Sequence, residues 1–145
     1  MQPHEKYDAI LRCAVILRHA RAGNWHAVGH DVNELAHLYD GPGIQLLIMG
    51  CADTMIAHQG GPLPAGQLVA PMWIDCHGTA TDASGVNRPE VVWAGQFIAA
   101  HAAQDVDTCA ALVNSCADDP GRYADNVLAV IEVTAITLNS MSAPV

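Results

Sequence analysis

An all-α fold is what this sequence predicts, with about six helices arranged as two three-helix halves joined by a long ordered strap. Three observations carry that expectation. Half of the residues are hydrophobic (51%), yet only seven are aromatic, so the core is built mainly from Ala, Leu, Ile and Val. Of these, Ala and Leu are strong helix formers. Apolar residues recur three and four positions apart, the spacing that lines one face of a helix. Between those stretches stand Pro, Gly, Asn and Asp, the residues that start and stop helices. A chain of 145 residues is long enough to bury a core without staples of disulfide or metal, so residues 1–145 are read as one helical domain.

The punctuation places each element. Pro3 stands where a first turn tolerates the missing N–H, and the first helix runs from there to Gly23. Asn24 caps the second, which ends at Tyr39 before the breaker Asp40-Gly41-Pro42-Gly43. The third covers Ile44 to His58 and stops at Gly60-Gly61. Asn87 or Arg88 precedes Pro89, which opens a fourth helix ending near Ala103. Asp105 caps the fifth, which ends near Ala117. Asp118 or Asp119 caps the sixth, with Pro120 in its first turn and an end near Leu138. The tail SMSAPV is expected to fray.

The halves are residues 4–58 and 88–139. Sliding one onto the other by 81 residues brings Ile10 onto Val91, Val28 onto Cys109, Leu47 onto Leu128 and Met55 onto Ile136 without a gap. That register suggests a structural pseudo-repeat, although any two amphipathic three-helix runs can be slid together in this way. Residues 59–87 are the connecting strap. A link of that length inside a compact domain is usually functional or disordered, and the apolar run LVAPMWI argues for order. Trp73 and Ile74 are its candidate interaction residues. Pro71 disfavours a central strand there and leaves room for an edge strand or short hairpin.

Charge narrows the range of partners. A formal net charge of −9 repels phosphate, so direct nucleic-acid binding is not expected. The charge is unevenly spread. Residues 1–22 carry Lys6, Arg12, Arg18 and Arg21 against Glu5 and Asp8, whereas from Asp105 onward Arg122 alone opposes six carboxylates. Such asymmetry would let one molecule's first helix pair with another's second half. The five Arg to one Lys, with so much Ala, hint at a bacterial or phage source. The start MQPHEKYD carries no hydrophobic signal region, and the apolar run Ile44–Ala57 is interrupted by Gln45 and Asp53 and is too short to span a bilayer. The cytoplasm is therefore the expected location, with no membrane partner. Five cysteines without a CxxC or zinc spacing indicate neither a disulfide framework nor a zinc finger. Cys109 and Cys116 are spaced as small core residues beside Leu112 and Val113.

The most chemical-looking stretch is HAVGHDVNELAH, residues 26–37. On a wheel of about 100° per residue with His26 at zero, Val28, Val32, Leu35 and Tyr39 fall between about 180° and 240°. His26, His30 and His37 lie at about 0°, 40° and 20°, facing away from that stripe. A catalytic metal usually sits in a supported cleft, which an outward helix face does not offer. His26, His30, Asp31 and His37 are the candidate metal ligands, but no metal or other cofactor is expected. The doublet His30-Asp31 invites comparison with the HD-type phosphohydrolases, which add an earlier His and a later Asp. His19 and Asp105 or Asp107 stand in those places. With 8 His and eleven Asp, composition alone yields roughly 0.6 His-Asp dipeptides, and on the wheel Asp31 lies about 100° from His30.

Other signatures are missing: no P-loop, no GxSxG and no GxGxxG follow a strand. Four Glu in the chain leave no paired ExxE sets. Asp75-Cys76-His77 brings three reactive types together, but neighbours in an extended chain point opposite ways. No catalytic residue is assigned. The expected function is a small cytoplasmic interaction or regulatory protein with a protein partner or self-association. A metal-dependent helical phosphohydrolase is the first alternative and an acidic nucleic-acid mimic the second.

Overall fold

The computed structural model describes residues 1–61, 73–74, 80–81 and 86–141, with backbone alone at 73–74, 80–81 and 141. Three helices begin at a proline and two behind a side-chain cap. Helix α1 spans Pro3–Arg21, and the Gln2 N–H donates to the Glu5 carboxylate at 2.8 Å. Helix α2 spans Trp25–His58 behind Asn24, whose Oδ1 accepts from the Ala27 N–H at 3.3 Å. A two-residue antiparallel ladder follows, β1 (Trp73–Ile74) with β2 (Ala80–Thr81), pairing Trp73 with Thr81 and Ile74 with Ala80. Helix α3 spans Pro89–Ala102. Helix α4 spans Val106–Asn114 behind Asp105, which takes the Thr108 N–H at 3.1 Å and the Thr108 hydroxyl at 2.6 Å. Helix α5 spans Pro120–Met141, and the Asp119 carboxylate accepts from the Arg122 N–H at 3.2 Å. Each cap satisfies one of the donors that a helix start leaves without an intrahelical partner.

The fold class is all-α, but the described residues hold five helices where about six were expected. The segments read as a second and a third helix follow one another without a loop along α2, as two helical stretches either side of a kink at Asp40 (φ 52°, ψ −145°), where the backbone leaves helical geometry. The breaker turns the chain, and hydrogen bonding resumes at once because Pro42 sits where the new first turn lacks a partner for its N–H anyway. Gly43 makes the bend feasible. A Cβ there would stand 2.8 Å from the Tyr39 Cβ and 3.4 Å from the Leu35 carbonyl oxygen.

The pseudo-repeat is not confirmed. The helices set on one another differ in length, 19 residues in α1 against 14 in α3. Burial is not shared either: Met55 is 7% exposed and its counterpart Ile136 60%, while Val28 is fully buried and Cys109 half-buried. Of the strap at 59–87, residues 62–72, 75–79 and 82–85 lie outside the described residues.

The chain forms two compact units, residues 1–59 with 134–145 and residues 60–133, so that the boundary falls within α5. In the first unit α1 and α2 pack along Ile16, Val28, Leu35, Leu47, Ile48 and Cys51, all at most 3% exposed. Asn139 locks the end of α5 onto the end of α1: its Nδ2 donates to the Arg21 carbonyl at 3.0 Å and its Oδ1 accepts from Arg21 Nε at 3.1 Å. In the second unit Trp93 stacks on Phe97 with ring centroids 5.5 Å apart, and its indole N–H donates to the Leu112 carbonyl at 3.0 Å. Buried aromatic pairs of this kind add to the area they remove from water. Arg88 grips Glu132 with two bonds of 2.8 Å and Glu90 with a third of 2.8 Å. Among the described residues no helix is long and apolar enough to cross a membrane.

Candidate functional site

The histidine stretch opens α2, and its buried side is set by Val28 and Leu35, both at 0% exposure. His26, His30 and His37 are exposed, on the side the helical wheel assigns them. The stripe is narrower than expected, because Val32 and Tyr39 are half-buried and Trp25 is 42% exposed. These three flank the packing line and are covered on one side only.

A run of polar contacts ties this face to α1. The Tyr39 hydroxyl donates to the Asp8 carboxylate, which also accepts from Arg12 Nε at 2.9 Å. Hydrogen bonding from Tyr39 and then Arg12 holds the Asp8 carboxyl below its usual range, and the same bond raises the Tyr39 phenol. Arg12 reaches on to Glu34 at 3.3 Å. One turn along, Asp31 lies between two imidazoles, 3.7 Å from His19 Nε2 and 3.3 Å from His30 Nδ1. Adjacent residues on a helix diverge by about 100° at their Cβ atoms, but His30 is long enough to fold back onto its neighbour. The sequence argument against a shared His30/Asp31 site is corrected on that point.

His30, Asp31 and Glu34 each offer a ligand atom within 4.8 Å of the others. A divalent cation is the ligand such a set of one imidazole and two carboxylates would hold, as hard oxygen donors with one nitrogen. The surroundings weaken it: Glu34 is engaged by Arg12, and the His30 side chain is 73% exposed, so water competes for the ion. Among the described residues this grouping does not include His26 or His37. Of the positions nominated beside the doublet, His19 joins Asp31, whereas Asp105 is committed to capping α4.

A second place carries unmet chemistry. In the second unit the first turn of α3 and the first turns of α5 border a cleft of about 410 Å³, lined by Pro89, Glu90, Trp93, Arg122, Asp125 and Asn126. The bond from Arg88 holds the Glu90 carboxyl below the usual range, which favours its ionised form. Asn126 is 2% exposed, and among the described residues its Nδ2 has no hydrogen-bond partner. A buried donor left unmet costs about 1–3 kcal/mol, which is why native proteins keep few of them. Sequence reasoning missed this cleft. One signal was present: Asn126, Val130 and Thr134 follow one another at helical spacing along a buried row of α5, and a carboxamide there is out of place.

A third feature is the outer face of α1. Ala9, Ile16 and Ala20 face inward, but Tyr7 (66%), Ile10 (49%) and Leu11 (50%) are exposed. With Ala14 they share an arc of about 100°, and Arg18 and Arg21 continue the same arc. A surface helix normally presents polar residues there, so an apolar stripe is informative.

The thiols offer no activated nucleophile among the described residues. Burial pushes Cys13 up to about 11 and Cys51 up to about 12, and it raises Cys109 as well. A thiolate is the reactive form, so burial disfavours reaction at Cys13 and Cys51. Cys116 is fully buried as expected, while Cys109 is half-buried because α4 presents no fully buried residue. The side chains of Trp73 and Ile74, and all of Asp75, Cys76 and His77, lie outside the described residues. Comparison of the chain with protein-family models, with curated proteins and with solved structures finds no match.

Proposed function

We propose that this is a small helical interaction or regulatory protein without catalytic activity, and that the outer face of α1 is its contact surface. The observation that supports the reading is the apolar stripe Tyr7, Ile10, Leu11 and Ala14 on a helix whose opposite side already fills the core. Exposed apolar stripes of this kind mark protein contacts more often than chance surface composition does. Lys6, Arg18 and Arg21 give the face a positive border. The complementary charge is carried by the chain itself, in the six carboxylates between Asp105 and Glu132. A second copy of this chain therefore suits the stripe, with cytoplasmic location part of the same proposal.

The test places a photoreactive benzoylphenylalanine at Tyr7. Irradiation is expected to yield a covalent dimer whose cross-links fall between residues 105 and 132 of the other copy. Irradiation that yields monomer alone, at concentrations where the unmodified protein is not aggregated, would overturn the reading.

The second reading is a metal-dependent phosphohydrolase, favoured by the spacing of His30, Asp31 and Glu34. Elemental analysis of protein purified without a histidine tag separates the two. Stoichiometric zinc, manganese or iron, lost in an Asp31→Asn variant, would put hydrolysis in front. Absence of metal together with no release of phosphate from a phosphomonoester would remove it.

A further inference from the structure

Asn126 is an unusual residue to find where it is. Its side chain is removed from water on a buried row of α5, it lines the cleft between the starts of α3 and α5, and its Nδ2 has no partner among the described residues. A carboxamide in a core is kept when something completes its hydrogen bonds. The two ends of the group exchange by rotation about χ2, so either can be turned to the cleft. The charged groups around it have opposite signs. Among the described residues the Arg122 guanidinium meets no carboxylate; its Nη1 has a long contact of 3.5 Å to the Ser115 carbonyl. Asp125 carries no ion pair among the described residues, and Glu90 is anchored through Arg88. Trp93 and Pro89 supply an apolar wall. Its indole N–H is already spent on Leu112, so the ring offers shape and not polarity.

A volume of about 410 Å³ lies at the small end of ligand clefts. Its contents call for one group that accepts hydrogen bonds and carries negative charge, one that is cationic, and a modest apolar portion. We infer that this cleft binds a free α-amino acid. The carboxylate accepts from Asn126 and faces Arg122, the ammonium lies toward Asp125 and Glu90, and the side chain rests on Trp93 and Pro89. The α1 stripe takes no part in this site, which requires no catalysis, although Asp125 is also one of the carboxylates proposed to meet α1 of a second copy.

The experiment follows the Asn126 side-chain amide by ¹⁵N NMR in the full-length protein while each of the twenty common α-amino acids is added at about 1 mM, a level that detects weak ligands. The expected result is a saturable shift of that amide with one amino acid or a narrow group. Acetate alone and methylamine alone should give no saturation, since each meets half of the cleft. Arg122→Gln, at an exposed position, should weaken binding about tenfold by removing one charge-assisted contact. Asn126→Leu should abolish binding yet raise the melting temperature of the ligand-free protein by about 3 °C, because it removes an unmet buried donor. If no amino acid shifts the amide, the proposal fails, whatever the variants do. It fails equally if binding survives in Asn126→Leu or is unaffected in Arg122→Gln.

Discussion

The histidine face at the start of α2 and the cleft between α3 and α5 differ in whether their polar groups are satisfied. On the first, Asp8, Arg12, Glu34, Asp31 and two histidines are joined in short contacts, and what remains faces water. In the second, a buried amide donor meets no partner among the described residues. In the stretch richest in reactive residue types, Asp31, Glu34 and His30 thus already have partners, while His26 and His37 face water. The cleft, assembled from ordinary residues, is where a ligand has something to offer. Residue type alone is a poor guide to a site; unmet capacity under burial is a better one.

The largest expected effect tests the sidedness of α2. Leu35→Ala removes a fully buried side chain from the face opposite the histidines, and should cost about 2–5 kcal/mol in chemical denaturation. A loss under about 1 kcal/mol would mean that this face is not the packed one, and the contrast between its two sides would collapse.

Next comes the bend that follows Tyr39. Gly43→Ala forces a Cβ to within 2.8 Å of the Tyr39 Cβ, and overpacking of this kind costs about 1–3 kcal/mol. The Tyr39 phenol should then titrate closer to an ordinary tyrosine, because its bond to Asp8 is what raises it. Unchanged stability with an unchanged phenol would show that the helix tolerates a side chain at the turn.

A smaller effect belongs to the clamp beside the cleft. Arg88→Gln frees Glu132 and Glu90, both held below the ordinary carboxyl value of 4.5 chiefly by their bonds with Arg88. A depressed folded-state value stabilises above the unfolded value and is lost as pH falls through the folded one. The variant should therefore be less stable at neutral pH, by at most about 1 kcal/mol once solvent screening of these half-exposed groups is counted. The difference should shrink below pH 4.5. A gap that widens in acid would reverse the assignment. The smallest change is expected from His26, His30 and His37 replaced together by Gln. Each exposed substitution should stay within about 0.5 kcal/mol, and collapse of the fold would mean that the network is structural.

The helix starts were legible in the sequence because their causes are local. Pro3, Pro89 and Pro120, with the caps Asn24, Asp105 and Asp119, act on the residues next to them. The break at Asp40 was legible from Asp-Gly-Pro-Gly, but not that the second helical stretch would follow the kink without a loop. The exposure of the three histidines followed from the wheel. Contact between His30 and Asp31 did not, since it depends on side-chain reach. The cleft was out of range, because Glu90 and Trp93 meet Asn126 only through tertiary packing. The α1 stripe was present in the spacing of Tyr7, Ile10, Leu11 and Ala14, hidden by a helix that is apolar on both sides.

Association through α1 is the central claim, and sedimentation equilibrium of the wild type beside an Ile10→Glu, Leu11→Glu double variant addresses it most directly. The monomer has a mass of 15.3 kDa. The wild type should sediment above that mass with rising concentration and fall back toward it in high salt, as the basic border requires. The double variant should melt close to the wild type but remain at 15.3 kDa, a loss of about 30-fold or more in association. A wild type that stays at the monomer mass at every concentration, or a double variant that associates as before, would contradict the claim.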